Sequence, residues 1–233
     1  MPPSFATLSA SKCIATGAAS LTQREQQAIA NLFRDETRKG AFLIAGRRPL
    51  ERFCEHVLRE FPEQHTTNVV YDYLPYLRRR ATLAARTRRF PLVALVLYAT
   101  WLEHWTNMVI TVGMLRRGTE QGDIDAFFQS RPRFEEKLRR CGPPLALPSL
   151  PKDSRDWALK LIRLRNEFIH YTWQGTPIRV AATRHGNIRS AVRHARQHLD
   201  ALRAWEFTAL DAPNVKAIQG LLPKARWKRP EAR

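Results

Sequence analysis

The stretch from Pro91 to Leu115 constrains this chain more than any other, because it is almost wholly apolar and runs unbroken until Gly118. A helix that is hydrophobic on all sides must be surrounded, either by other protein or by lipid. Its length suffices to span a bilayer. Glu103, His104 and Asn107 would then lie near the membrane centre, which costs several kcal/mol. The expectation is therefore a helix buried in a bundle of other helices, with no membrane span. Within it Thr100, Glu103, His104, Asn107 and Thr111 recur at three- and four-residue spacing. At about 100° per residue they form one narrow polar stripe. Buried polar groups are costly unless paired, so this stripe should face polar side chains of another helix.

The remaining segments read as further helices. Thr22 and Glu25 form a capping box that opens a helix to about Arg38. Pro49 opens another, through Leu50, Phe53, Val57 and Leu58. The segment 68–89, started or interrupted at Pro75, carries Arg78, Arg79, Arg80, Arg86, Arg88 and Arg89. Asp123 to Gln129 and Pro132 to Arg140 are shorter helices, and 142–151 is a connector rich in Pro, Leu and Gly. Ser154 caps a helix that runs to about Tyr171 or Trp173, with Trp157, Leu161, Leu164 and Phe168 as its apolar stripe. Gly175 and Pro177 end it. Ile178 to Ala182 is a short extended piece, and Asn187 to Leu210 is a helix with a basic face. The fold class is all-α, an irregular helical bundle. The boundaries that follow are a flexible leader at 1–20, a helical extension at 21–66, a main helical domain at 67–210 and a loose basic tail at 211–233.

Charge limits the partners. Lys and Arg number 39 against 21 Asp and Glu, a formal net charge of +18. Such an excess self-repels and points to a polyanion: RNA, DNA or an anionic membrane surface, with nucleic acid favoured. Cys13, Cys54 and Cys141 are widely spaced and odd in number, with no CxxC or Cys/His ligand spacing. That argues against a zinc site or a disulfide framework, and no metal or other cofactor is called for. The first residues lack a basic n-region and a continuous apolar h-region, so no secretory signal is read and a cytoplasmic location is expected.

The candidate site lies in Arg165-Asn166-Glu167-Phe168-Ile169-His170. The Arg-x4-His spacing occurs three times, at Arg165/His170, Arg189/His194 and Arg193/His198, so spacing alone carries little information. Only the first sits on a helix with a clear apolar stripe; the other two read as a solvated basic surface. Asn166 and His170 share a helix face. The Arg165, Asn166 and His170 edge is the natural partner for the polar stripe, with Glu103 able to hold Arg165 or to orient His170. The plainer alternative is a Glu103–Arg165 ion pair with no chemistry. If RNA is the substrate it carries its own nucleophile, the 2′-hydroxyl. Histidine supplies an acid or base near neutral pH, and Arg165 a cation for the crowded phosphate. Arg189, Arg193 and Arg196, with Arg78, Arg79 and Arg80, are the candidate phosphate contacts. Trp227, among Lys224, Arg226, Lys228 and Arg229, can stack on an unpaired base.

LIRLRNEFIHYTW at 161–173, together with LYATWLEHWTNMV at 97–109, resembles the HEPN superfamily. That family comprises all-α domains of prokaryotic toxins, antiviral defence systems and some RNA-processing proteins. Its mark is Arg, four to six residues, then His, often with Asn or another polar residue directly after the Arg. The similarity covers roughly 68–210. In one toxin subgroup a tyrosine stands two residues after the histidine; here Tyr171 follows His170 directly and Thr172 occupies that position. The resemblance implies a HEPN-like fold and a metal-independent endoribonuclease, a toxin or antiviral-defence effector. It also implies a homodimer with two motifs facing across a cleft, and an inhibitory or activating partner protein. Its alternative is a non-catalytic HEPN-like domain that binds RNA or a partner protein.

Overall fold

The computed structural model describes residues 22–24, 26–27, 29–31, 73–87, 91–169 and 178–222. Every regular element among them is helical, and no strand occurs among the described residues. The chain is all-α, as its periodicity predicts. The leader, the helix expected from Pro49, Arg88 and Arg89, the stop at Gly175 and Pro177, and the basic cluster around Trp227 lie outside the described residues.

The chain divides into two compact units. The first comprises Tyr71–Met114 and Thr119–Trp205. It begins with α1 (Tyr73–Arg86) and α2 (Pro91–Arg116). Two short helices, α3 (Gln121–Gln129) and α4 (Phe134–Arg140), precede a 3-10 turn at Pro143–Leu145. The long α5 (Lys152–Ile169) and α6 (Ile178–Glu206) complete it.

Helix α2 is its centre. Ala94, Leu95, Tyr98, Trp101, Leu102, Trp105, Val109, Ile110 and Met114 are all buried. They cover most of the helix circumference, which is what an apolar helix needs in water. Trp101 stacks on Trp105 with ring centroids 5.9 Å apart and planes 10° from parallel. Trp205 of α6 meets Trp105 edge-on at 5.9 Å. Burying each such ring contributes about 1.5–3 kcal/mol, and the ring pairs add about 0.5–1.5 kcal/mol. Two buried indole N–H groups find acceptors: Trp205 Nε1 donates to Pro148 O at 3.1 Å and Trp157 Nε1 to Ala191 O at 2.9 Å. The first ties the connector to α6 and the second ties α5 to α6. The connector also presses on α2. A Cβ built on Gly113 would lie 2.8 Å from Leu145 Cδ1, so only glycine lets Leu145 seat there.

The second unit comprises Met1–Val70, Leu115–Gly118 and Glu206–Arg233. Its described N-terminal residues are helical from Gln23, directly after Thr22, where the capping box places the start. Gln26 N–H donates to Thr22 O at 3.0 Å, and Ile29 and Ala30 are buried. Gly118, with φ of +76°, terminates the chain of α2 as expected. A π turn at Phe207–Asp211 leads into α7 (Ala212–Leu221), whose Val215 and Ile218 are buried, as is Leu222 just after it.

Three local expectations are corrected. Ile178 to Ala182 is the first part of α6, not an extended piece. Its β-branched residues prefer strands only weakly, and context overrides such a preference. The segment from Ala212 is a helix rather than the start of a loose tail. Pro213 has no N–H to give, but Ala212 N–H bonds five residues back to Phe207 O, and this single wide turn lets the helical path continue past the proline. Ser154 is not the cap of α5. Arg155 N–H donates to Pro151 O at 3.0 Å, so Pro151 occupies the capping position and Ser154 is buried one turn inside.

Candidate functional site

Helix α2 places Glu103 beside α5. Arg165 Nη2 donates to Glu103 Oε1, an ion pair between residues 62 apart in sequence. The Arg165 side chain is 18% exposed and that of Glu103 42%. The pair therefore lies at the rim of the unit, with the cation the more enclosed partner. Arginine has five N–H donors in a rigid fork, and this contact is the one hydrogen bond it makes among the described residues. Of the two roles read for Glu103, holding Arg165 is the one the geometry displays.

The rest of the polar stripe behaves differently from the expectation that it is buried against a polar partner. It forms the least enclosed edge of α2. Thr100 Oγ1 satisfies itself by donating to Val96 O at 3.0 Å. His104 is exposed, and Thr111 is half-buried. Asn107, one turn beyond Glu103, is half-buried, and its Oδ1 is shielded from water with no hydrogen-bond partner among the described residues. Such an atom costs about 1–3 kcal/mol until a donor reaches it. On α5, Asn166 and Glu167 are exposed and Ile169 is 53% exposed. His170 lies outside the described residues.

The candidate phosphate contacts separate into two kinds. Arg79, Arg80, Arg189, Arg193 and Arg196 are exposed. Arg80 lies over the Tyr76 ring at 5.3 Å and donates through Nε to Tyr76 Oη at 3.2 Å, which fixes a cation and an exposed aromatic side by side. Arg78 is the exception. It turns inward, is 8% exposed and pairs with Asp200 of α6, so it cannot act as a surface contact in the way its neighbours can. Arg196 Nε also lies 3.8 Å from the same carboxylate.

The third Arg-x4-His pair is likewise not a solvated surface at its histidine. His198 stacks on Trp157 of α5 with ring centroids 5.1 Å apart and planes 17° from parallel, and its Nδ1 is 3.4 Å from Ser154 Oγ. Periodicity could have flagged it: His198 lies seven residues after Ala191 and seven before Trp205, on the side of α6 that those buried residues mark.

Burial and the neighbouring His194 lower the pKa of His198, while Asp153 pulls it up. The unfolded chain therefore takes up this proton first as pH falls. Stability from neutral His198 is complete above the ordinary histidine value of about 6.5 and is lost as pH drops through the lower folded value. Thermal melts from pH 7.5 to 5 should show a falling midpoint, and His198→Gln should flatten the fall. An unchanged profile in that variant would remove His198 from the explanation.

Cys141 is buried, with its thiol pKa pushed up to about 12 by desolvation, and it donates weakly to Thr106 O at 3.8 Å. It is a packing residue rather than a nucleophile. Among the described residues no group of three or more His, Cys, Asp and Glu is placed to hold a metal ion. No described helix is long and apolar enough to cross a membrane. Comparison with protein-family models, with curated proteins and with solved structures finds no match.

Proposed function

We propose that this chain is a metal-independent endoribonuclease of HEPN type, a toxin or antiviral-defence effector that acts as a homodimer on RNA. The observation that carries the reading is the Arg165–Glu103 pair, which joins the two segments on which the family resemblance rests. A catalytic guanidinium must be fixed before substrate arrives, since preorganised charge costs no reorganisation during reaction. Glu103 fixes it through one donor. Asn107 Oδ1, one turn beyond Glu103 and without a hydrogen-bond partner among the described residues, is an acceptor for a hydroxyl or amide brought by substrate.

The reaction balances without a metal. His170 takes the proton of a ribose 2′-hydroxyl, the 2′-oxygen bonds to phosphorus, and the bond to the 5′-oxygen breaks. A second histidine, which a two-fold axis would supply, returns a proton to that 5′-oxygen. Arg165 neutralises the pentacoordinate phosphate, with Asn166 positioning His170 or a phosphate oxygen.

A second reading is a non-catalytic RNA- or partner-binding helical protein. It is favoured by the same pair read differently: the charge of Arg165 is already met by Glu103. Incubating the purified chain with total RNA in EDTA distinguishes them. Fragments with 2′,3′-cyclic phosphate ends are expected. RNA that is bound but stays intact would establish the second reading.

A further inference from the structure

Helix α1 carries an outward face that neither the core nor the Arg165 edge uses. From Leu74 to Arg86 its exposed residues are Pro75, Tyr76, Arg79, Arg80, Leu83 and Arg86. At about 100° per residue they all fall within about 140° of the helix circumference. Tyr76 and Leu83, seven residues apart, form the middle of this face. Arg79 and Arg86, also seven apart, line one side of them, and Arg80 lines the other. Tyr76 is 53% exposed and Leu83 47%.

The face holds cations without anions. Helix α1 contains no carboxylate. Asp200 of α6 reaches it, but pairs with Arg78 on the opposite, buried side. Arg79 and Arg86 make no ion pair among the described residues. Arg80 is held in place instead by the aromatic ring. Its guanidinium lies 5.3 Å from the Tyr76 centroid, and its Nε donates to Tyr76 Oη at 3.2 Å. The two side chains fix each other before any ligand arrives, so less rotamer freedom is lost when one binds. More than half of Tyr76 stays open to a planar group.

We propose that the outward face of α1 binds single-stranded RNA, with an unpaired base stacked on Tyr76 and the neighbouring phosphates paired with Arg79, Arg80 and Arg86. This rests on the reading that RNA is the partner, but it concerns binding and not cleavage. An aromatic ring accepts any base, since every base has a π face. Guanidinium forks pair with phosphate oxygens in two parallel hydrogen bonds. Leu83 extends the apolar strip beneath the strand. A duplex keeps its bases stacked on one another and offers Tyr76 nothing, so the face selects unpaired strands. An anionic lipid surface fits less well: an interfacial helix buries a broad apolar face, and α1 presents two large apolar side chains among arginines.

The test uses the full chain and three variants: Tyr76→Leu, Tyr76→Phe and Arg79→Ala/Arg86→Ala. The probe is a fluorescent 2′-O-methyl oligouridylate, whose blocked 2′-oxygens prevent cleavage, titrated at several salt concentrations. The same strand annealed to its complement, and vesicles of phosphatidylserine and phosphatidylcholine, are titrated beside it. Tyr76→Leu should lose about fivefold to a hundredfold in affinity for the single strand, the effect of one lost base stack. Its salt slope should not change, because no charge is removed. Its affinity for the duplex should change by less than about twofold. Tyr76→Phe keeps the ring and should stay within about threefold of the parent. Arg79→Ala/Arg86→Ala should reduce the salt slope by about 1.4, the value for two lost single-strand phosphate contacts. Unchanged single-strand binding in Tyr76→Leu would overturn the proposal, and so would equal losses on strand and duplex. Loss of vesicle binding in Tyr76→Leu with RNA binding intact would give the face to a membrane instead. A parent that binds neither strand nor duplex would remove the RNA reading itself, whereas one that binds the duplex alone would remove only this face. Cleavage of unmodified RNA, judged through His170, is independent of all these outcomes.

Discussion

His170→Ala should abolish RNA cleavage in EDTA, by about 100- to 10,000-fold, the usual contribution of a positioned general acid or base. Arg165→Ala should cost about 100- to 1,000-fold, as removal of a fixed charge on the reacting phosphate does. The two differ in what they leave behind. Removing His170 takes away proton transfer only. Removing Arg165 also leaves the Glu103 carboxylate without its partner at the site rim, where it repels phosphate. Arg165→Ala/Glu103→Gln should therefore recover part of the loss in RNA affinity but none of the loss in the chemical step. Single-turnover cleavage of a labelled RNA, followed on a denaturing gel, measures the step. Circular dichroism checks that each variant folds. A His170→Ala protein that cleaves at the parent's rate would end the assignment of this site.

Trp105→Ala should destabilise the first unit by about 3–5 kcal/mol, the range for deleting a buried aromatic ring. Trp105 is wholly buried and lies between Trp101 and Trp205. Its loss opens a cavity where α2 meets α6, and Trp205, held by its indole hydrogen bond to Pro148 O, cannot collapse into it. Trp105→Phe should cost markedly less, because it keeps most of the ring contact. Urea unfolding followed by far-ultraviolet circular dichroism gives both values. A change below about 1 kcal/mol in Trp105→Ala would mean that α2 is not the centre of the core, since ordinary surface substitutions stay within about half that figure.

The sequence makes the helices and the Glu103–Arg165 pairing legible for one reason. A charged group in an apolar helix needs a partner, and few segments offer one. Consecutive arginines are harder to read. Arg78, Arg79 and Arg80 are each rotated by about 100° on a helix, so one of three must point inward. Which one is decided by Asp200, and nothing local to α1 announces it. His198 was hidden by its company: its neighbours Arg193, His194, Arg196 and Gln197 are exposed, so the run reads as solvated although one side of it lies on Trp157. Pro213 misleads in the other direction. A proline near the end of a basic helix suggests a stop, yet a single π turn absorbs it.

The Arg78–Asp200 brace joins residues 122 apart in sequence. During synthesis, α1 and its arginines leave the ribosome long before Asp200 exists, and closing so long a loop is slow compared with forming the helices between. Until α6 arrives, Arg78 lacks its Asp200 partner. The brace thus marks the moment at which a generally sticky basic chain becomes a protein with defined surfaces. Yield in cells should therefore depend on how quickly α6 docks as well as on the final stability of the core. Variants that slow this docking should accumulate on ribosomes and be cleared there, even where their folded form melts at the parent's temperature.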